Sequence, residues 1–125
     1  IQVEKNINDK LLNKKQIYIA LDPSSSSTTV LAGMDIAKVI GTAEYGVFKI
    51  PTQSAFLYRL NTTNNTQVPT VNCKNANQDI GVIALRVYNE NKVYSSGDCV
   101  IVEAKSEEEL ISVSDRLVYS LLNVM

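Results

Sequence analysis

Few side chains in this sequence are equipped for chemistry. The chain holds Cys73 and Cys99, six Tyr, 13 Asp and Glu against 12 Lys and Arg, and neither His nor Trp. Without imidazole there is no Ser/His or Cys/His nucleophile pair, no His metal ligand, and no side chain that titrates near neutrality unless strongly perturbed. The expectation is therefore a non-enzymatic protein with no catalytic residues, no metal, no cofactor and no small-molecule substrate. Cys73 and Cys99 match neither a zinc knuckle nor a CxxC redox pair. Two reduced or partly buried thiols are expected, and a disulfide between them is the alternative. The run Glu107 to Glu109 suits the positive end of a helix dipole rather than an acid–base pair. Two N-x-T triplets, Asn61 to Thr63 and Asn64 to Thr66, are glycosylation acceptors only if the chain is secreted. With 12 Asn among the 125 residues, they read mainly as composition bias.

Tyr18, Tyr58, Tyr88 and Tyr94 stand in β-branched runs, either as surface aromatics for a partner or as ordinary cross-strand pairs. The strands that position them are expected at Gln16 to Asp22, Gly46 to Ile50, Ala55 to Asn61, Ile80 to Tyr88, Lys92 to Ser95 and Asp98 to Lys105. Three helices are expected as well. Val3 to Lys15 places Val3, Ile7 and Leu11 on a narrow stripe. From a cap at Thr28 or Thr29, the residues Val30, Leu31, Met34, Ile36, Ala37 and Ile40 make an apolar face that Gly41 ends. At the carboxyl end, Ser106 and Glu109 form a capping box ahead of Leu110, Val113, Leu117, Leu121 and Val124. Pro23 to Ser27 and the long polar stretch Asn61 to Asp79 are loops. A consecutive block of strands covered by helices indicates an α+β domain spanning 1–125, with a curved antiparallel sheet and helices packed on one face.

Composition agrees with a single folded unit: 45% of the residues are apolar, 20% are charged, and the net charge is −1. Apolar content at this level with balanced charge argues against disorder. No stretch approaches the roughly 20 apolar residues of a membrane helix. Ile1 to Lys15 is charged rather than signal-like. The expectation is a soluble, cytoplasmic domain with no membrane partner. A near-neutral balance also argues against a protein that coats nucleic acid, since that affinity comes from many Lys and Arg neutralising phosphates.

The run from Tyr94 through Ser95-Ser96-Gly97-Asp98, the β-branched stretch Val100 to Val102, and Ala104-Lys105-Ser106-Glu107-Glu108 resembles the last hairpin and helix start of one repeat of the TATA-box-binding protein family. Leu31, Ile36, Ala37, Ala43, Glu44 and Tyr45 are similar to that family's first helix and its exit, and Tyr58-Arg59-Leu60 to the strand after it. The resemblance covers residues 16–125 as a single repeat, with 1–15 as an extra amino-terminal helix and 61–79 as an extra polar loop. It implies a homodimer, because a saddle needs two repeats, and an open sheet face carrying Gln16, Tyr18, Arg59, Tyr94, Val100, Val102 and Lys105. Phe56, Leu60, Cys99 and Ile101 are expected on the opposite, helix-packed face. Tyr94 replaces a Phe wedge, Gln53 falls near the other wedge, and Asp98 replaces a Lys that would meet phosphate. The expected partner is therefore another protein, with duplex DNA as the weaker alternative. The hairpin Ile80 to Asp98 also resembles that of roadblock-like dimerisation platforms, which gives a second fold reading.

Overall fold

A computed structural model describes residues 2–3, 7–11, 13–22, 26–41, 50–58 and 69–122. The expected strand at 46–50 falls outside these residues except for Ile50, and so do Arg59, Leu60, both N-x-T triplets, Ala43, Glu44, Tyr45 and Val124. The elements run β1 (Gln2–Val3), α1 (Ile7–Leu11), β2 (Gln16–Leu21), α2 (Ser27–Ile40), β3 (Thr52–Phe56), a 3-10 turn (Cys73–Asn75), β4 (Ile80–Val87), β5 (Lys92–Ser96), β6 (Cys99–Ala104) and α3 (Glu107–Leu122). Both α and β structure are present, as expected. The amino-terminal helix is shorter than 1–15, because Val3 is drawn into β1, where it pairs with Val93.

The sheet order is β1-β5-β6-β4-β2-β3. Its direction corrects the antiparallel expectation: β3, β2, β4 and β6 all run parallel, β1 is parallel to β5, and among the described strands only the β5–β6 hairpin is antiparallel. The reason lies in the connections. Gly97, at φ +60°, gives β5 and β6 the left-handed residue of a tight reversal. By contrast β2 reaches β3 through α2, and β4 follows β3 only after the intervening residues 57–79, the long kind of link that parallel neighbours require. Gly41 ends α2 where a Cβ would overlap the carbonyl of Ile50, so only glycine admits the chain there.

The helices cover one face. Ile17, Ile19, Leu21, Ile83, Leu85, Val100 and Val102 pack there with Ile7, Leu11, Ile36, Ile40, Leu110, Val113, Leu117 and Leu121. In α3 the expected stripe is buried, and Ser106 Oγ accepts the Glu109 backbone N–H at 3.2 Å and donates to the Glu109 carboxylate at 3.5 Å. The face of α2 is turned from the expected one. Thr29, Ala32, Gly33, Ile36 and Ile40 are buried, whereas Val30, Leu31 and Met34 are exposed. Small residues win the inner side because a Cβ on Gly33 would already lie 3.3 Å from Ile19, too close for a larger side chain.

The other face has no helix among the described residues. Ala20, Ala55, Val82, Ala84, Cys99 and Ile101 form a second apolar layer there, covered by Val71, Cys73 and Ala76 of the segment before β4. A disulfide joins Cys73 to Cys99, the alternative that the sequence left open, and stitches that segment to β6. Closing a loop of this length is worth about 2–4 kcal/mol. A Cys73→Ala/Cys99→Ala double variant is expected to lose stability of that size in urea unfolding, with the cooperative transition retained because the α2/α3 side of the core is untouched.

Candidate functional site

Strand alternation decides which side chains reach the helix-free face. β2 sends Gln16 and Tyr18 there, β5 sends Lys92 and Tyr94, β4 sends Arg86, and β6 sends Ile101 and Glu103. Of the expected surface residues, Gln16, Tyr18 and Tyr94 therefore share one face, all partly buried. Tyr18 and Tyr94 are separated by β4 and β6, roughly 14 Å apart at the usual strand spacing. Val100 and Val102 are a correction, since both are fully buried against the helices. Cys99 and Ile101, expected under the helices, take the helix-free side instead. The parity of β6 is thus the reverse of the expected one. Lys105 is exposed just past β6, where its backbone N–H donates to Asn91 Oδ1 at 2.8 Å.

Two residues that sequence reasoning passed over organise this face. Arg86 and Glu103 are Cα partners on β4 and β6. Arg86 Nε donates to Glu103 Oε1 at 2.8 Å and Arg86 Nη2 to Tyr94 Oη at 2.5 Å, while Tyr94 Oη donates to Glu103 Oε1 at 3.2 Å. Glu103 is 2% exposed. Burial works against the guanidinium charge, but the bond to Glu103 and the nearby Tyr94 and Glu103 outweigh it and raise the Arg86 pKa. Lys92 Nζ lies 4.6 Å above the Tyr94 ring and 3.3 Å from Glu90 Oε2, and Arg86 stands 5.2 Å from the Tyr88 ring. The signal was a lone charge inside each of two apolar runs, Ile80 to Val87 and Cys99 to Ala104.

Asp98 also has a partner. Lys14 Nζ donates to Asp98 Oδ1 at 2.9 Å, to Asn77 O at 2.7 Å and to Gln78 O at 3.3 Å, with the Lys14 side chain 3% exposed. Three donors meet three acceptors, so this buried ammonium is a clamp on the β5–β6 turn.

The cavities among the described residues include two of about 260 Å3. The first lies outside the carboxyl ends of β2 and β4, where the chain leaves β2 toward β3 on one side and returns as β4 on the other. That is the switch point at which open parallel sheets hold ligands. Its walls are Asp22, Thr29, Leu85, Arg86, Val87, Glu107 and Leu110. Its polar groups bond to the protein: Glu107 Oε1 accepts the Ser26 N–H at 2.9 Å and the Thr29 hydroxyl at 2.8 Å, and Tyr58 Oη donates to Asp22 Oδ1 at 2.8 Å. Glu107 thereby caps α2 from α3 and fills the anion position at that helix start. The second cavity lies on the helix-free face beside the disulfide, lined by Leu57, Asn72, Cys73, Lys74, Ala84, Arg86 and Ile101. Among the described residues no group of His, Cys, Asp and Glu is arranged to hold a metal ion, and no helix is long and apolar enough to cross a membrane. No family model, curated protein or solved structure matches this chain.

Removing Arg86 leaves Glu103 a buried carboxylate without its cation. Arg86→Ala is expected to cost about 1–3 kcal/mol in urea unfolding, and Arg86→Ala/Glu103→Gln to recover part of that loss. A second expectation concerns acid. Hydrogen bonds from the Ser26 backbone, Ser26 side chain and Thr29 hold the Glu107 carboxyl below its ordinary value of 4.5. The capping bond therefore stabilises the fold fully above that value and is lost as pH falls through the lower, folded-state value. The stability gap between wild type and Glu107→Gln is expected to be widest near neutrality and to close in acid. A gap that widens in acid rules out the capping role.

Proposed function

We propose that this chain is a non-enzymatic binding module that recognises another protein with the helix-free face of its sheet. One observation carries the reading: the sheet face that no helix covers among the described residues carries Tyr18, Tyr94, Arg86 and Lys92 around the buried layer of Val82, Ala84 and Ile101. Aromatic rings and a fixed guanidinium are among the side chains that dominate protein interfaces. Arg86 and Glu107 are both held more firmly in their charged forms. That suits fixed electrostatics rather than proton transfer, which calls for values moved toward neutrality.

Duplex DNA fits less well. Arg86 is bound to Glu103 and Lys92 to Glu90, so neither is free to replace phosphate counterions. From the TATA-box-binding protein resemblance the proposal keeps a sheet face as recognition surface, and not the saddle, since the strands here are mostly parallel. A homodimer remains part of it, paired through the exposed Val30, Leu31 and Met34 of α2. The disulfide supports an oxidising compartment over the cytoplasm.

Light scattering and fluorescence anisotropy test the reading together. A dimer mass that falls to monomer in Leu31→Glu is expected, with labelled AT-rich duplex giving no change at low salt. Peptide display on the same protein is expected to enrich ligands that Tyr94→Asp no longer retains. Saturable duplex binding that weakens steeply with salt replaces protein by DNA as the partner, and enrichment unchanged by Tyr94→Asp removes the helix-free face from the reading.

A further inference from the structure

We infer that the cavity beside the disulfide is a binding site for a small monoanion with an apolar body, such as an aryl or short alkyl carboxylate. It goes beyond the macromolecular reading above and needs no protein partner. The floor of this space is Ala84 and Ile101, one wall is Leu57, and the opposite wall is the Cys73 end of the crossing segment. Those surfaces are apolar, and the space between them measures about 260 Å3. At the ~30 Å3 that one water occupies in the liquid, it accommodates roughly eight or nine non-hydrogen atoms.

Charge selects the ligand's sign. Two cations line the cavity, Lys74 and Arg86. Arg86 is balanced by Glu103, its Nη2 lying 2.7 Å from Glu103 Oε1. Lys74 has no ion-pair partner among the described residues, and its side chain is not a donor in any bond within them. The lining therefore holds one unbalanced positive charge over an apolar floor, with no carboxylate among its residues. A carboxylate at the rim meets Lys74 and the outer edge of Arg86, while its apolar body displaces water from Leu57, Ala84 and Ile101. The switch-point cavity is different: its lining cation, Arg86, is paired with Glu103, and its walls carry the carboxylates Asp22 and Glu107.

The cavity has a buried Ala84 on its floor and an exposed Lys74 in its lining, so a matched set of probes tests it. Benzoate, benzyl alcohol and benzylammonium share one ring and differ in charge. Titrated into 15N-labelled protein, benzoate is expected to shift the backbone amides of Leu57, Lys74, Ala84, Arg86 and Ile101. It is expected to bind at least about tenfold more tightly than benzyl alcohol, a difference of about 1.4 kcal/mol, with no binding of benzylammonium. Lys74→Glu, an exposed substitution that leaves the core alone, is expected to abolish the preference for benzoate and admit benzylammonium. Ala84→Phe fills the floor and is expected to exclude all three. Equal affinity for benzoate and benzyl alcohol overturns the inference, as does an unchanged preference in Lys74→Glu. Amide shifts that map elsewhere, or none at millimolar ligand, overturn it too, and either result leaves the peptide and duplex measurements of the macromolecular reading standing on their own.

Discussion

β4 and β6 lie in the middle of the sheet and carry apolar side chains on both faces, Ile83, Leu85, Val100 and Val102 on one side and Val82, Ala84, Cys99 and Ile101 on the other. α2 and α3 occupy only the first side. Leaving the second wet would forfeit roughly 25 cal/mol for each Å2 of apolar surface, so the chain covers it with the residues just before β4. The 3-10 turn at Cys73–Asn75, capped by Asn72 whose side chain accepts the Lys74 N–H at 3.0 Å, holds that cover in shape. The disulfide holds it in place. The layer beneath it is buried, and the cavity beside the disulfide and the Tyr94–Arg86–Glu103 cluster lie along its edge.

Charge placement follows from the same layering. A buried ion persists only with partners for its bonds, and three of the charged contacts here span elements distant in sequence. Lys14 joins the turn after α1 to the residues before β4 and to the β5–β6 turn. Glu103 joins β6 to β4 and β5. Glu107 joins the start of α3 to the start of α2. The Glu107 contacts satisfy the Ser26 N–H and the Thr29 hydroxyl at the switch-point crevice from within. The helix-free side keeps Lys74 unbalanced, which is why the two cavities of equal volume differ in the ligand they suit.

Much of the local structure was legible in the residues. The Ser106–Glu109 cap, the Leu110, Val113, Leu117, Leu121 stripe, and the strands at Gln16, Ile80, Lys92 and Cys99 follow from hydrogen-bonding chemistry and periodicity acting over a few neighbours. Strand direction was not legible, because an extended run pairs in either sense and the connection decides which. One hint was present: Ile80 to Leu85 and Cys99 to Val102 are continuous apolar runs rather than alternating ones, the pattern of strands buried on both faces in a parallel sheet. The candidate face suffered most. Gln16, Tyr18 and Tyr94 were placed together, but a one-residue parity reversal on β6 exchanged Val100 and Val102 for Ile101 and Glu103.

By itself the sequence determined the absence of imidazole chemistry, the balance of charge, and the positions of most helices and strands, since these depend on residue type and on contacts within a turn or a pleat. Tertiary structure alone decided the parallel order, the pairing of Cys73 with Cys99, the burial of Ala32 and Gly33 in place of Leu31 and Met34, and the meeting of Arg86, Glu103 and Tyr94. Each of those depends on which surfaces are left to cover once the layers have packed, a quantity no local window of residues contains.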